Sequence, residues 1–274
     1  MDGQRGRWVR VASYAPHLPQ WPADFPLRIV ALSDFHLCTP WMNARRLAAI
    51  CAQANALKPD IILLLGDYLD GPRFSRPAAS DWAEPLAALS APLGVHAILG
   101  NHDYKLGSGS AAEAAAVTSA LYAVNLPVYI NQAARLETQG RGFWLAGLGD
   151  QYALLPKREK VRLGFGLDDL PATLAQVTTD EPILLMAHEP DIFPDVPERV
   201  ALTLSGHTHA GQVTLFGYAP VVPSRFGQRF LHGHVIEGDR HLIVSGGLGY
   251  SGLPIRLGAP AEMLLIELGQ QAKE

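Results

Sequence analysis

The chain has 274 residues, 48% of them hydrophobic and 18% charged, with a formal net charge of −4. This composition excludes a disordered chain, and the acidic balance argues against nucleic acid as the main partner. With only Cys38 and Cys51, a disulfide framework and a thiolate zinc site are both set aside, and a reducing, cytoplasmic setting is expected.

Residues 1–26 carry basic side chains but no apolar core, so they read as an N-terminal extension and not as a signal peptide. From Leu27 to Glu274 a single domain is expected, without repeat or linker. RIVALSD (28–34) is an apolar, β-branched run that stops at Asp34, the form of a buried strand. MNARRLAAICAQANAL then reads as a helix before Pro59, with Cys51 as a small buried hydrophobe. DIILLLGD (60–67) repeats the strand form, and SDWAEPLAALSA reads as a helix before Pro92. VHAILGNHD (95–103) is a third such strand, followed by a helix in AAEAAAVTSALYAVN before Pro127. After a further helix near DDLPATLAQV come the strands PILLMAHE (182–189) and VALTLSGH (200–207). QVTLFGY, RHLIVSGG and AEMLLIEL read as strands with no long helix between them, which suggests a mixed or second sheet. The alternation predicts an α/β fold with at least one largely parallel sheet. No run approaches the ~20 apolar residues of a spanning helix.

The chemistry gathers where the five apolar runs stop. There stand Asp34 and His36; Asp67 and Asp70; Asn101, His102 and Asp103; His188; and His207 and His209. Strands of an open α/β sheet end at a common edge, and ligands bind in the crevice there. Imidazoles, carboxylates and an amide without thiolates suit Mn, Fe, Zn or Co. Two Asp, four His and one Asn are too many for one tetrahedral ion. If one carboxylate bridges, each of two ions receives four protein groups. Such a pair is the usual clamp for in-line displacement at phosphorus.

Asp34-x-His36, Gly66-Asp67-x-x-Asp70, Gly100-Asn101-His102-Asp103, His188 and Gly206-His207-Thr208-His209, in that order, resemble the signature of calcineurin-like metallophosphoesterases. The resemblance runs from about Leu27 to Leu268. The ending GLGYSGLPIRLGAPAEMLLIEL resembles a bacterial subgroup of small phosphodiesterases with lipid-A-pathway and cell-envelope members. It implies a four-layer α-β-β-α sandwich with two mixed sheets. It also implies two divalent ions, manganese first. Asp34, His36 and His209 would hold one ion; Asn101, His188 and His207 would hold the other; Asp67 would bridge them. Hydroxide held between the ions would attack phosphorus, and His102 would either protonate the leaving-group oxygen or stabilise charge on the phosphoryl group. Asp103 is expected either to orient His102 or to cap a helix.

The implied substrate is a phosphate ester or pyrophosphate, with a UDP-linked lipid precursor as the first candidate. Peripheral membrane contact is then expected, and no obligate protein partner is inferred. Arg256 and Tyr104 are candidate substrate contacts. Phe35, Trp41 and Tyr68 could line a pocket, although packing explains aromatic residues at strand ends equally. His232 and His234 read as solvent-facing, and His96 as a satisfied sheet histidine.

Overall fold

A computed structural model describes residues 9–69, 79–104, 111–153 and 166–269. Its strands are β1 (Arg10–Tyr14), β2 (Leu27–Leu32), β3 (Ile61–Leu65), β4 (Val95–Ile98), β5 (Gln132–Thr138), β6 (Arg141–Gly147), β7 (Ile183–Met186), β8 (Val200–Ser205), β9 (Gly233–Glu237), β10 (Arg240–Val244) and β11 (Glu262–Leu268). Its helices are α1 (Ala44–Ala56), α2 (Ala79–Ala87), α3 (Ala111–Ala123) and the short α4 (Leu170–Leu174).

The strands form two mixed sheets, ordered β1-β11-β2-β3-β4 and β5-β6-β7-β8-β10-β9. Strand periodicity explains the layering, because successive side chains leave opposite faces. Val30, Leu32, Ile62 and Leu64 point to one side, where they meet Leu47, Ile50 and Cys51 of α1, Trp82 of α2 and Val117 of α3. Ile29, Ala31, Ile61, Leu63 and Leu65 point to the other side, against Phe143, Leu145, Leu184, Met186 and Leu204 of the second sheet. The outer face of that sheet is covered by Leu170, Ile192, Phe193 and Phe230. Each central strand is thus buried on both faces, which is why its sequence is an unbroken apolar run.

Three parts of the sequence behave differently from expectation. The segment set apart as an extension supplies an edge strand: β1 pairs in parallel with β11, and Trp21 and Phe25 are buried between the sheets. The β5–β6 hairpin has no counterpart among the sequence-based strands. QVTLFGY is a tight turn closed between Leu215 and Tyr218, with only isolated bridges.

His96 lies in β4 with both ring nitrogens engaged, by the Tyr129 hydroxyl at 3.0 Å and the Leu93 carbonyl at 2.8 Å. Burial holds its pKa below the usual 6.5. The unfolded chain therefore binds the proton more tightly, so this contribution to stability is complete above pH 6.5 and is lost as pH falls toward the folded value. Thermal melting is expected to show less acid destabilisation below that pH in His96→Gln than in the parent chain.

Candidate metal centre

Strands β2, β3 and β4 run parallel in one sheet, and β6, β7, β8 and β10 run parallel in the other. The carboxyl ends of both sets open on the same place. The loops after β2 and β3 stay paired beyond the strands: Asp34 N–H donates to Gly66 O and His36 N–H to Asp67 O, both at 3.0 Å. The two sheets are laced together there as well. His207 N–H donates to the Asp34 carboxylate at 3.0 Å, and His188 Nδ1–H donates to Leu65 O at 2.6 Å.

The backbone is unusual at these ends. Asp34, His36, Asp67, His207 and His209 all have positive φ, between 44° and 69°. That region costs a non-glycine residue about 1–2 kcal/mol and is kept only where the surroundings over-determine it, commonly at functional sites. Gly66, at φ 91°, starts the turn into Asp67, and a Cβ on it would lie 2.5 Å from Gly100 N. Gly66→Ala is therefore expected to cost about 2–5 kcal/mol, strain and overlap together, measurable as a lower urea midpoint.

The side chains form overlapping groups of donors, His36, Asp67 and His102 being one of them. Asp34, His36 and His209 lie within coordinating distance of one another, as do Asp67, His188 and His207. His36 Nε2 is 2.9 Å from His209 Nε2 and 3.4 Å from Asp67 Oδ2, and His209 Nε2 is 3.4 Å from Asp34 Oδ1. His188 Nε2 faces Asp67 Oδ2 at 3.2 Å without forming a hydrogen bond, and His207 Nδ1 faces Asn101 Oδ1 at 2.8 Å. Lone-pair-bearing atoms converging in this way, in a buried place, fit divalent cations better than they satisfy one another. The ring orientations are set from behind. A carbonyl only accepts, so His188 must donate from Nδ1 to Leu65, and His207 from Nε2 to Pro223 O at 2.7 Å. This leaves His188 Nε2 and His207 Nδ1 free for a cation.

The electrostatics are those of a dense buried cluster. Burial raises the Asp34 carboxyl, against the attraction of His188. Burial would also raise Asp67, but His188 and His102 outweigh it and hold that carboxyl well below its usual range. Burial lowers His188, yet Asp67 and Glu189 push it well above its usual value. Burial and the neighbouring His188 take His207 down to about 3, and burial and His36 depress His209. His36, His188, His207 and His209 are buried, whereas His102 is only partly so. The His102 ring stands edge-on to His36 at 4.7 Å.

Several residues occupy other places than the sequence suggests. Asp103 is taken up by backbone amides: Oδ2 accepts from Asp67 N–H and Gly100 N–H, and Oδ1 from Tyr68 N–H. It pins the β3 and β4 loops together through these backbone bonds. Burial and the charge of Asp67 raise its pKa to about 7. Tyr104 packs in the core under the first sheet, so its ring offers a substrate no open face. Arg256 donates to the carbonyls of Gly249, His209 and Ala259, and its Nη2 is 3.0 Å from His209 Nδ1. It braces His209. Phe35 and Tyr68 are stacked core residues. His232 is 2.6 Å from the Glu262 carboxylate and His234 is 3.0 Å from His241, so both are partnered and neither joins a donor group among the described residues. Asp70 lies outside the described residues.

Sequence reasoning missed Asp150 and Glu189. Both are fully buried beside His188, and the three form a further group of converging donors. Burial and Glu189 raise Asp150 well above the usual carboxyl range, and burial raises Glu189 as well. The signal was legible: β6 runs into LAGLGD, the same Gly-Asp stop as LLLGD after β3, and Glu189 follows His188 directly.

Residues 27–211 match the model of the calcineurin-like phosphoesterase family. A metallophosphoesterase of Caenorhabditis elegans is 34% identical over 253 residues, covering 88% of this chain and 48% of its own length. A Danio rerio transmembrane protein with a metallophosphoesterase domain is 30% identical over 250 residues, 89% of this chain and 53% of that protein. A Bacillus subtilis metallophosphoesterase is 31% identical over 245 residues, covering 88% of this chain and 78% of its own. The chain thus spans about half the length of the two animal relatives. With the motif-bearing strand ends inside the matched region, the chain belongs to the calcineurin-like phosphoesterase family.

Proposed function

We propose that the chain is a dinuclear metal-dependent phosphohydrolase acting on phosphodiesters or pyrophosphates. The observation that supports this reading most is the pairing of two donor groups, Asp34–His36–His209 and Asp67–His188–His207, with Asn101 against the second. Asp67 approaches imidazoles of both groups and is the residue we assign as shared. When bound there, two divalent ions, manganese in this reading and iron, zinc or cobalt as rivals, would polarise phosphoryl oxygens and bring the ionisation of water near pH ~7.

The protein's own groups supply position and a proton. Leu65 O and Pro223 O keep the two rings turned inward, and Asp103 holds the two loops in register, so the donors are arranged before substrate arrives. To His102, beside Asp67 and partly open to solvent, we assign protonation of the leaving-group oxygen. The finer part of the proposal is a nucleotide-linked lipid as substrate, met by a cytoplasmic chain at the membrane surface. Two facts favour the membrane setting alone: apolar side chains are exposed on the 212–223 segment that follows His209, and the Danio rerio relative is named as a transmembrane protein. Among the described residues no helix is long and apolar enough to cross a membrane.

The test is hydrolysis of an aryl phosphodiester. Turnover is expected with added Mn²⁺, is lost on chelation and returns with the metal. No turnover with any divalent ion on any of several esters would instead favour a non-catalytic binding module of the same fold.

A further inference from the structure

Two loops beside the metal centre carry an apolar surface that hydrolysis itself does not use. One runs from Gln212 to Pro223, just after His209; the other runs from Tyr250 to Gly258. They are stitched into one unit. Gln212 Nε2 donates to Ser251 O and Leu253 O, Ser251 N–H donates to Gln212 Oε1, and Thr214 N–H donates to Leu257 O. Leu215, Phe216, Val221, Leu253, Ile255 and Leu257 are each more than half exposed on this unit. A contiguous patch of this kind marks an interaction site.

The turn at its tip is built against its own preferences. Leu215 and Tyr218 exchange both backbone hydrogen bonds at 2.9 Å around Phe216 and Gly217, with φ of 50° and 83°. Two-residue turns of this geometry favour Asn-Gly or Asp-Gly, and a bulky residue at positive φ is an outlier. Here an aromatic ring accepts that backbone cost and is also left fully exposed.

The surrounding charge selects the partner. Residues 199–236 and 240–261 contain no Asp or Glu. Exposed Arg225 flanks the first loop. On the other side Arg45 and Arg46 adjoin exposed Trp41, and the Arg46 guanidinium lies over the Tyr250 ring at 5.7 Å. Apolar tips with arginines around them and no acidic residue in either loop complement an anionic lipid surface, although the buried Asp191 carboxylate accepts from Ser224 and from the Arg225 backbone: the hydrocarbon enters the acyl boundary, and the guanidinium groups meet phosphates.

We infer that these two loops dock the chain on an anionic lipid surface, holding the metal centre at headgroup depth. The loops brace the centre directly, since Pro223 O accepts from His207 and Arg256 lies against His209. The link to catalysis rests on the phosphohydrolase reading, whereas the docking itself is measured without it. The experiment is cosedimentation of the full chain with phosphatidylglycerol/phosphatidylcholine vesicles and with pure phosphatidylcholine vesicles. The parent chain is expected to bind the anionic vesicles and to bind the neutral ones more weakly. A Leu215→Asp/Phe216→Asp double variant is expected to bind at least ~10-fold more weakly, yet to hydrolyse a soluble aryl diester within about twofold of the parent rate, which shows it folded. Failure of the parent to bind anionic vesicles, or unchanged binding by the variant, would overturn the inference. So would a parent dimer that the same substitutions dissolve with no vesicle binding, because a second copy would then be the occupant. A parent that binds vesicles but cleaves no ester would sink the catalytic reading and leave the docking surface standing.

Discussion

Asp67→Asn is expected to lose bound metal and turnover together. The carboxylate reaches His188 Nε2 at 3.2 Å and His36 Nε2 at 3.4 Å with one oxygen, and accepts the His102 amide at 2.8 Å with the other. It is the only acidic side chain among the described residues that belongs to a donor group with His36 and to another with His188. Asn keeps the shape and an acceptor for the His102 amide but removes the charge that two adjacent cations need. Stabilisation of several kcal/mol by the ions corresponds to about a 10³-fold loss in kcat/KM, at ~1.4 kcal/mol per factor of ten. Metal content by mass spectrometry and diester turnover should fall in the same preparation. A variant that retains two metal equivalents and parental rates would remove Asp67 from the shared position.

Replacing His102 should separate what Asp67→Asn joins. His102 lies beside His36 and Asp67, but its backbone N–H, not its ring, makes the bond to Asp67. His102→Ala spares that bond, so metal content should remain. Turnover should drop by ~10²–10⁴, the usual range for losing a general acid. The loss should be larger for an alkyl leaving group than for nitrophenolate, which leaves without a proton. Equal losses on both, or none on the alkyl diester, would point to charge stabilisation or to a bystander.

The site was legible because its strands are buried on both faces. Such strands must be written as unbroken apolar runs, so the polar residues that end them stand out. RIVALSD, DIILLLGD, VHAILGNHD, PILLMAHE and VALTLSGH correspond to β2, β3, β4, β7 and β8. The edge strands β1 and β5 lack that clarity. Four of the seven positions in β5 are not exposed, but none is fully buried, and a strand with neither face sealed has little pattern to read. For the opposite reason QVTLFGY misleads: its apolar residues are exposed on a turn, where solvent or a lipid surface and not a core receives them.

By itself the sequence determined the class of chemistry. Carboxylate, imidazole and amide donors at five strand ends suit paired divalent cations wherever those ends meet. Which atoms face which was decided only in three dimensions. Asp103 turned into a clamp on backbone amides, Arg256 into a brace for His209, and Tyr104 into packing, because each role depends on groups brought from distant parts of the chain. The same holds for Asp150 and Glu189, whose burial against His188 exists only once β6 and β7 lie side by side. Local spacing governs the identity and order of donors; through-space packing governs their orientation, their protonation and their neighbours.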